Sequence, residues 1–454
     1  MNASKYIFTI LFLVATSSTL FAQQFLPSEF PDRIVLTWSD DPMTTQSVTW
    51  RTSPEITDSK AQFILAPNTP IYTDSVETFD AKTEFLDVDS VQANYHSVTF
   101  EGLQPATTYA YRVGKEGTWS EWFQFTTAPQ KGTPFSFVYF GDAQNNLKSQ
   151  WSRVIRQAYS NLPKAAFMLH AGDLINRTQS DSEWGEWNYS GSFINAMIPS
   201  IATPGNHEYD RAENGTLVLD YHWKKQFTLP ENGPKEFSET VYYTDYSDLR
   251  MISLNSQEIV LDENSMEIQK VWLGKVLESN TQKWTIITFH HPIYSSGTGR
   301  DNKEFREAFK PIFDKYKVDL VLQGHDHSYG RGRNLPSGVA NQDPEAQGPV
   351  YVVSVSGPKM YNLTFDKWMD RAASNTQLYQ IISIEGDLLS YGAYTATGEL
   401  YDAFDLIKAE GKPKEFIDRA DKAIQEAIEL TPGSEKKMTP EEMAEYMRTY
   451  KKGN

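Results

Sequence analysis

No cysteine occurs among the 454 residues of the chain. That excludes a disulfide staple, a thiolate metal site, a thiol nucleophile and a cysteine-linked lipid. Histidine is scarce too, at eight residues, so a gathering of histidines calls for a reason. Positive charge is in deficit: 42 Lys and Arg stand against 59 Asp and Glu, for a formal net charge of −17. A surface this acidic is unsuited to a nucleic-acid polymer, whose phosphates are neutralised by Lys and Arg. It sets no bar against a small phosphate ester held by bound cations. Long apolar runs are missing after the first 22 residues, where Lys5 precedes "YIFTILFLVA" (Tyr6 to Ala15) and the small, polar "TSSTLFA" ends at Ala22. That run is shorter than the roughly 20 residues a membrane span needs. Residues 1–22 therefore read as a cleaved signal peptide, although Leu20 fits a small-residue cleavage rule poorly; an uncleaved anchor is the alternative. The expected location is secreted or periplasmic, with no transmembrane span in the mature chain.

What is present is an ordinary globular balance, 39% hydrophobic and 22% charged, over a length that suits two domains. Residues 31–129 read as strands only. "RIVLTWS", "QSVTWRTS", "AQFILA", "NYHSVTFEGL", "TYAYRVG" and "WFQFTT" are β-rich or alternating and separated by turn residues, the pattern of a β-sandwich. In "GLQPATTYAYRV", Leu103, Pro105 and Tyr109 resemble the tyrosine corner of fibronectin type III domains. His96 is alone there and reads as structural. "TTAPQKGTP" (Thr126 to Pro134) is the linker.

The pattern changes over residues 133–406. "FSFVYFGDAQ" is followed by Trp151, Val154, Ile155 and Ala158 at helical spacing, and "AAFMLHAGD" by a further apolar run. Strands alternating with helices predict βαβ units and a largely parallel core sheet, within an α/β (α+β) sandwich domain. A helix carrying Phe305, Phe309, Ile312, Phe313 and Tyr316 on one face is expected to bend or break at Pro311 before "VDLVLQGHDH" (Val318 to His327). Five apolar runs end alike, with Asp142, Asp173, Asn206, His290 and the His325/His327 pair just past them. Ligand sites in such sheets form beyond the carboxyl ends of strands, so these six side chains are expected to share one crevice.

The series Gly141-Asp142, Gly172-Asp173, Gly205-Asn206-His207-Glu208, His290 and Gly324-His325-Asp326-His327 resembles the calcineurin-like metallophosphoesterases. With the preceding sandwich and "LHAGDL", it is similar to the purple acid phosphatases in particular, over roughly Ile34 to Phe404. The resemblance implies a dinuclear centre of two divalent ions, with Zn, Mn or Fe(II) as candidates, that hydrolyses small phosphate monoesters by attack of metal-bound hydroxide. It implies that Asp173 bridges the ions, that Asp142 and His327 complete one site, and that Asn206, His290 and His325 complete the other. It makes His207 a substrate-facing catalytic residue, with Glu208 orienting it, and places His170 beneath the site and His291 behind the ligands. His222 has no functional reading.

Three positions depart from the purple pattern. Asn176 stands where that family has a tyrosine, so no phenolate is available there for ferric iron. Gln144, a weak ligand at best, stands where the wider superfamily often has a histidine. No second substrate-facing histidine follows "HHP", which leaves Arg300 as a candidate phosphate clamp through its fork of donors. A phosphodiesterase or nucleotidase, or a catalytically weakened binding or adhesion protein, are the alternatives. Residues 412–454 form a charged tail expected to be helical: Phe416, Ala420, Ala423, Ile424, Ala427 and Ile428 make one stripe, and a further helix starts at Thr439-Pro440.

Overall fold

The computed structural model describes residues 25–71, 75–333, 348–364, 368–432 and 438–452; the expected signal peptide lies outside them. Eight strands between Asp32 and Thr126 form two four-stranded antiparallel sheets. Alternation turns Val48, Trp50, Val98 and Phe100 of one sheet and Ala61, Phe63, Tyr109 and Tyr111 of the other into a shared apolar layer. Two of the strands, Glu77–Asp80 and Lys82–Val88, do not stand out in the sequence because they are charged and mostly exposed. The Tyr109 hydroxyl accepts from the Gln104 backbone N–H at 3.0 Å, closing the expected corner. His96 is buried between the Thr52 and Thr83 hydroxyls (2.8 and 2.9 Å) and stacks on Trp50, which is a structural role.

The second unit is the expected α/β sandwich but corrects the expectation of a largely parallel core sheet. It holds two seven-stranded sheets, each mixed. In the first, Ser200–Ala202, Met168–His170 and Phe135–Phe140 run parallel, and Leu378–Glu385 then adds antiparallel with the three strands beyond it. In the second, Leu249–Ser253, Trp284–Thr288, Leu320–Gln323 and Val350–Val353 are parallel, flanked by antiparallel strands. The sheets pack face to face: Phe137, Tyr139, Ile382 and Ile384 meet Ile286, Leu320, Leu322 and Val352 in one core. Full burial of such side chains is worth about 1.5–3 kcal/mol each. The Tyr139 hydroxyl donates across the gap to the Gln323 carbonyl.

Helices cover the outer faces. Val154, Ile155 and Ala158 of Ser152–Asn161 are buried as their spacing predicts, while Trp151 closes the π-helical turn before them. Phe305, Phe309 and Phe313 of Lys303–Lys315 pack on the second sheet, and that helix runs on through Pro311. Asp319, the one charged residue in an otherwise apolar strand approach, is buried; it accepts from the Thr285 N–H at 2.9 Å and pairs with Lys408 (2.6 Å) and Lys414 (3.3 Å).

The tail departs from its predicted helix. Glu415–Asp418 is a strand added to the edge of the first sheet, residues 419–432 after it are irregular, and Pro440–Lys452 is helical as expected. Tertiary partners take the groups that a helix would use. Phe416 stacks on Phe404, the Ile424 carbonyl accepts from Arg371, and the Ala427 carbonyl accepts from the Ser374 N–H.

Buried charge locks the two units together. Asp181, at the start of the helix Asp181–Gly191, pairs with Arg33 at 2.8 Å and Arg51 at 3.2 Å, both from the sandwich. His222 accounts for itself here: its Nδ1 bonds Asp220 at 2.7 Å and its Nε2 faces Asp181 at 3.7 Å. Asp181→Ala would leave two arginines buried beside a vacated partner. It is expected to lower stability by about 3–5 kcal/mol, read from denaturant unfolding. A loss under about 1 kcal/mol, the size of a surface pair, would show the cluster is not an anchor.

Candidate metal centre

Three metal-capable side chains leave the first sheet and three the second. Asp142, Asp173 and Asn206 follow the strands Phe135–Phe140, Met168–His170 and Ser200–Ala202; His290 follows Trp284–Thr288, and His325 and His327 follow Leu320–Gln323. They converge where the carboxyl ends of both sheets meet. Two triads result, Asp142 with Asp173 and His327, and Asp173 with His290 and His325, each with ligand atoms within 4.8 Å of one another. Asp173 belongs to both. The Asn206 Oδ1 lies 3.2 Å from His290 Nε2, which brings it into the second group.

The backbone is bent hard to do this. Asp173, His325 and His327 sit at φ of 51°, 75° and 49°, a left-handed conformation that side-chain-bearing residues adopt at a cost. Neighbouring glycines permit the close approach: a Cβ on Gly205 would lie 2.2 Å from Asp173 Oδ1, and one on Gly324 2.5 Å from Asp142 Oδ2.

Hydrogen bonds settle which ring nitrogen faces the crevice. His290 donates from Nδ1 to the Ala171 carbonyl at 2.9 Å, and His327 from Nδ1 to the Lys359 carbonyl at 2.9 Å. Each is left with Nε2 turned to the carboxylates, the usual arrangement behind a ligating imidazole. Charge is crowded there. Burial, with the neighbouring Asp173 carboxylate, pushes the Asp142 carboxyl up to about 7. Burial also works against charge on His290, but Asp173 and Asp142 outweigh it and hold that ring up at about 9. The Asp142 Oδ1 is buried without a hydrogen-bond partner. Two buried carboxylates, an orphaned carboxylate oxygen and imidazoles that present Nε2 to them are a donor set that fits divalent cations.

The remaining predicted positions divide. His207 is a quarter exposed, donates from Nδ1 to the Asn176 carbonyl at 2.6 Å, and turns Nε2 toward Asp173 Oδ2 at 3.9 Å. Glu208 does not orient it, contrary to expectation. Fully buried, it accepts from the backbone N–H groups of Asp173, Leu174 and Gly205 (2.9, 2.8 and 2.6 Å), tying two ligand turns together. A glutamate directly after Asn-His was the available signal for that brace. Gln144 reaches the centre: its Nε2 donates to Asp173 Oδ2 at 2.7 Å and lies 3.1 Å from His327 Nε2. Asn176 contributes its carbonyl to His207. Arg300 stands beside the second triad, donating to the His325 carbonyl at 3.3 Å, paired with Asp326 at 3.6 Å and lying over the Tyr361 ring. His170 is buried under the site against Phe140 and Trp187, and His291 packs on the His325 ring while Ser256 holds its Nδ1.

Residues 31–127 match the family described as purple acid phosphatase, N-terminal domain, and residues 135–329 that described as calcineurin-like phosphoesterase. A phosphoenolpyruvate phosphatase of Allium cepa is 25% identical over 346 residues, which cover 72% of this chain and 69% of its own length. A purple acid phosphatase of Glycine max is 27% identical over 287 residues, covering 59% of this chain and 61% of its own length. Among solved structures, the purple acid phosphatase PPD1 from yellow lupin (Lupinus luteus) seeds superposes with a TM-score of 0.71 at 20% identity, covering 84% of this chain and 75% of that one. At that identity the likeness speaks to fold alone.

Proposed function

Since the chain is a calcineurin-like metallophosphoesterase with a purple acid phosphatase N-terminal domain, we propose that it hydrolyses small phosphate monoesters at a centre holding two divalent cations. One observation carries this reading: two groups of ligand-type atoms share the Asp173 carboxylate at the meeting edge of both sheets. Asp142, Asp173 and His327 would hold one cation; Asp173, Asn206, His290 and His325 the other. Cations held there neutralise phosphoryl oxygens and make water acidic enough to supply hydroxide.

The protein's own groups do the rest. His207, a quarter exposed, is fixed by the Asn176 carbonyl with Nε2 turned toward Asp173, suited to hand a proton to the departing alkoxide. Arg300 offers charge and donors beside His325, although its pairing with Asp326 spends part of that charge. The signal-like residues 1–22 support a secreted or periplasmic location, and no described helix is long and apolar enough to cross a membrane. The bonded Tyr109 corner supports a fibronectin type III-like sandwich.

The test is turnover of a monoester, a diester and a nucleotide by protein of measured metal content. Release of phosphate from the monoester above all is expected; a fully loaded protein inert to all three would overturn the reading. Metal identity is tested separately. Protein purified aerobically with iron is expected to be colourless and to favour Zn, Mn or Fe(II), because Asn176 offers no phenolate. A strong visible band with one tightly held iron per chain would contradict this and point to Tyr361, whose ring packs on His327 at 4.6 Å.

A further inference from the structure

Beside the first triad runs a groove of roughly 540 Å³ whose walls include Asn146, Arg177, Glu183, Pro358 and Lys359. Its two cations differ in circumstance. Arg177 is tied to Glu183 at 2.8 Å. Lys359 pairs with no carboxylate among the described residues; its Nζ donates instead to the neutral Gln144 Oε1 at 3.3 Å. That same amide group bonds Asp173 Oδ2 through Nε2, so the ammonium stands one amide away from the carboxylate shared by both triads. The Lys359 carbonyl meanwhile holds His327, which fixes the residue's backbone to the centre. Arg300, the clamp suggested by sequence, is already engaged by Asp326 and stacked on Tyr361. Lys359 also lies over the Tyr361 ring, at 5.7 Å, but its partners are all neutral, so among the described residues of the groove it is the cation without a carboxylate.

We propose that Lys359 is the residue that selects phosphate monoesters over diesters, its ammonium taking the additional anionic oxygen that a monoester carries and a diester lacks. The inference rests on the hydrolytic reading above. Near neutral pH a phosphate monoester carries close to two negative charges, its second pKa lying near 6, whereas a diester carries one. A half-buried cation with only a neutral partner favours the dianion through a charge-assisted hydrogen bond.

The experiment compares wild type with Lys359→Met on p-nitrophenyl phosphate and methyl p-nitrophenyl phosphate, which share a leaving group and differ in charge. Lys359→Met is expected to lower kcat/KM for the monoester roughly 10- to 100-fold, the usual worth of a hydrogen bond to a charged group. The loss should fall mainly on KM, with the diester changed less than about threefold on the same scale. Metal per chain stays at the wild-type value, and inhibition by inorganic phosphate weakens in the same ratio as monoester turnover. Lys359→Arg, which keeps the charge, should recover most of the selectivity. Equal losses on both esters, a fall in metal content, or equal recovery by Lys359→Gln would overturn the proposal. If loaded wild type hydrolyses neither ester, it is the parent reading that fails.

Discussion

Asp173→Ala is expected to strip at least one metal from the purified protein and nearly all of its turnover while the fold survives. The carboxylate is committed on every side. Its Oδ2 lies 3.2 Å from His290 Nε2 and takes the Gln144 amide, and its Oδ1 accepts from the His207 backbone N–H at 2.9 Å. It is also the member common to both triads, so its removal damages both at once. Changes to the outer partners of metal ligands cost about 10–100-fold; losing the shared ligand should cost more. The fold should tolerate the change because two buried carboxylates repel, and removing one relieves Asp142 of part of what raises it. Metal analysis beside circular dichroism reads both halves. A folded variant with two metals and normal turnover would show that Asp173 is not the bridge.

His207→Ala should behave in the opposite way, with metal content intact and turnover down roughly 10²–10⁴-fold, the usual range for a general acid. His207 lies outside both triads, and its Nδ1 is held by the Asn176 carbonyl. The loss should shrink for esters with good leaving groups, whose oxyanions depart without a proton. A linear free-energy plot over a series of aryl phosphates measures this. Equal losses across the series would assign His207 to phosphate binding instead.

The six metal-capable side chains stood out in the sequence because the chemistry narrows the choice of residue and each follows an apolar run, two facts that survive without coordinates. Their division into two groups came with the resemblance; how ligands from two separate sheets reach one crevice needed the fold, since each group draws on both sheets. The tail misled because helical spacing describes a residue's opportunity, not its outcome: Phe416 found Phe404 across a sheet edge, and neighbouring carbonyls found Arg371 and Ser374. Interactions between distant single residues left no local trace. Lys359 is an isolated lysine in "SGPKMY", and nothing near Arg33 or Arg51 announces Asp181, more than a hundred residues away. Gln144 looked like a weakened ligand; its amide in fact links Lys359 to Asp173.

The arginine-bound helix Asp181–Gly191 also reaches the catalytic side. Its first turn carries Glu183, which accepts from the Asn176 and Arg177 backbone N–H groups at 2.8 Å each, and the Asn176 carbonyl in turn steadies His207. The chain of support therefore runs from Arg33 and Arg51 in the sandwich to a ring at the crevice. Cut at the linker around Thr126 to Pro134, the second unit would retain all six metal-capable side chains yet lose the footing of His207, the proposed proton donor. In the language of modular evolution, the N-terminal unit is not freely exchangeable cargo. Any replacement grafted in its place has to bring two buried cations to the same spot, or a compensating change at Asp181, before the recombined chain keeps His207 in register.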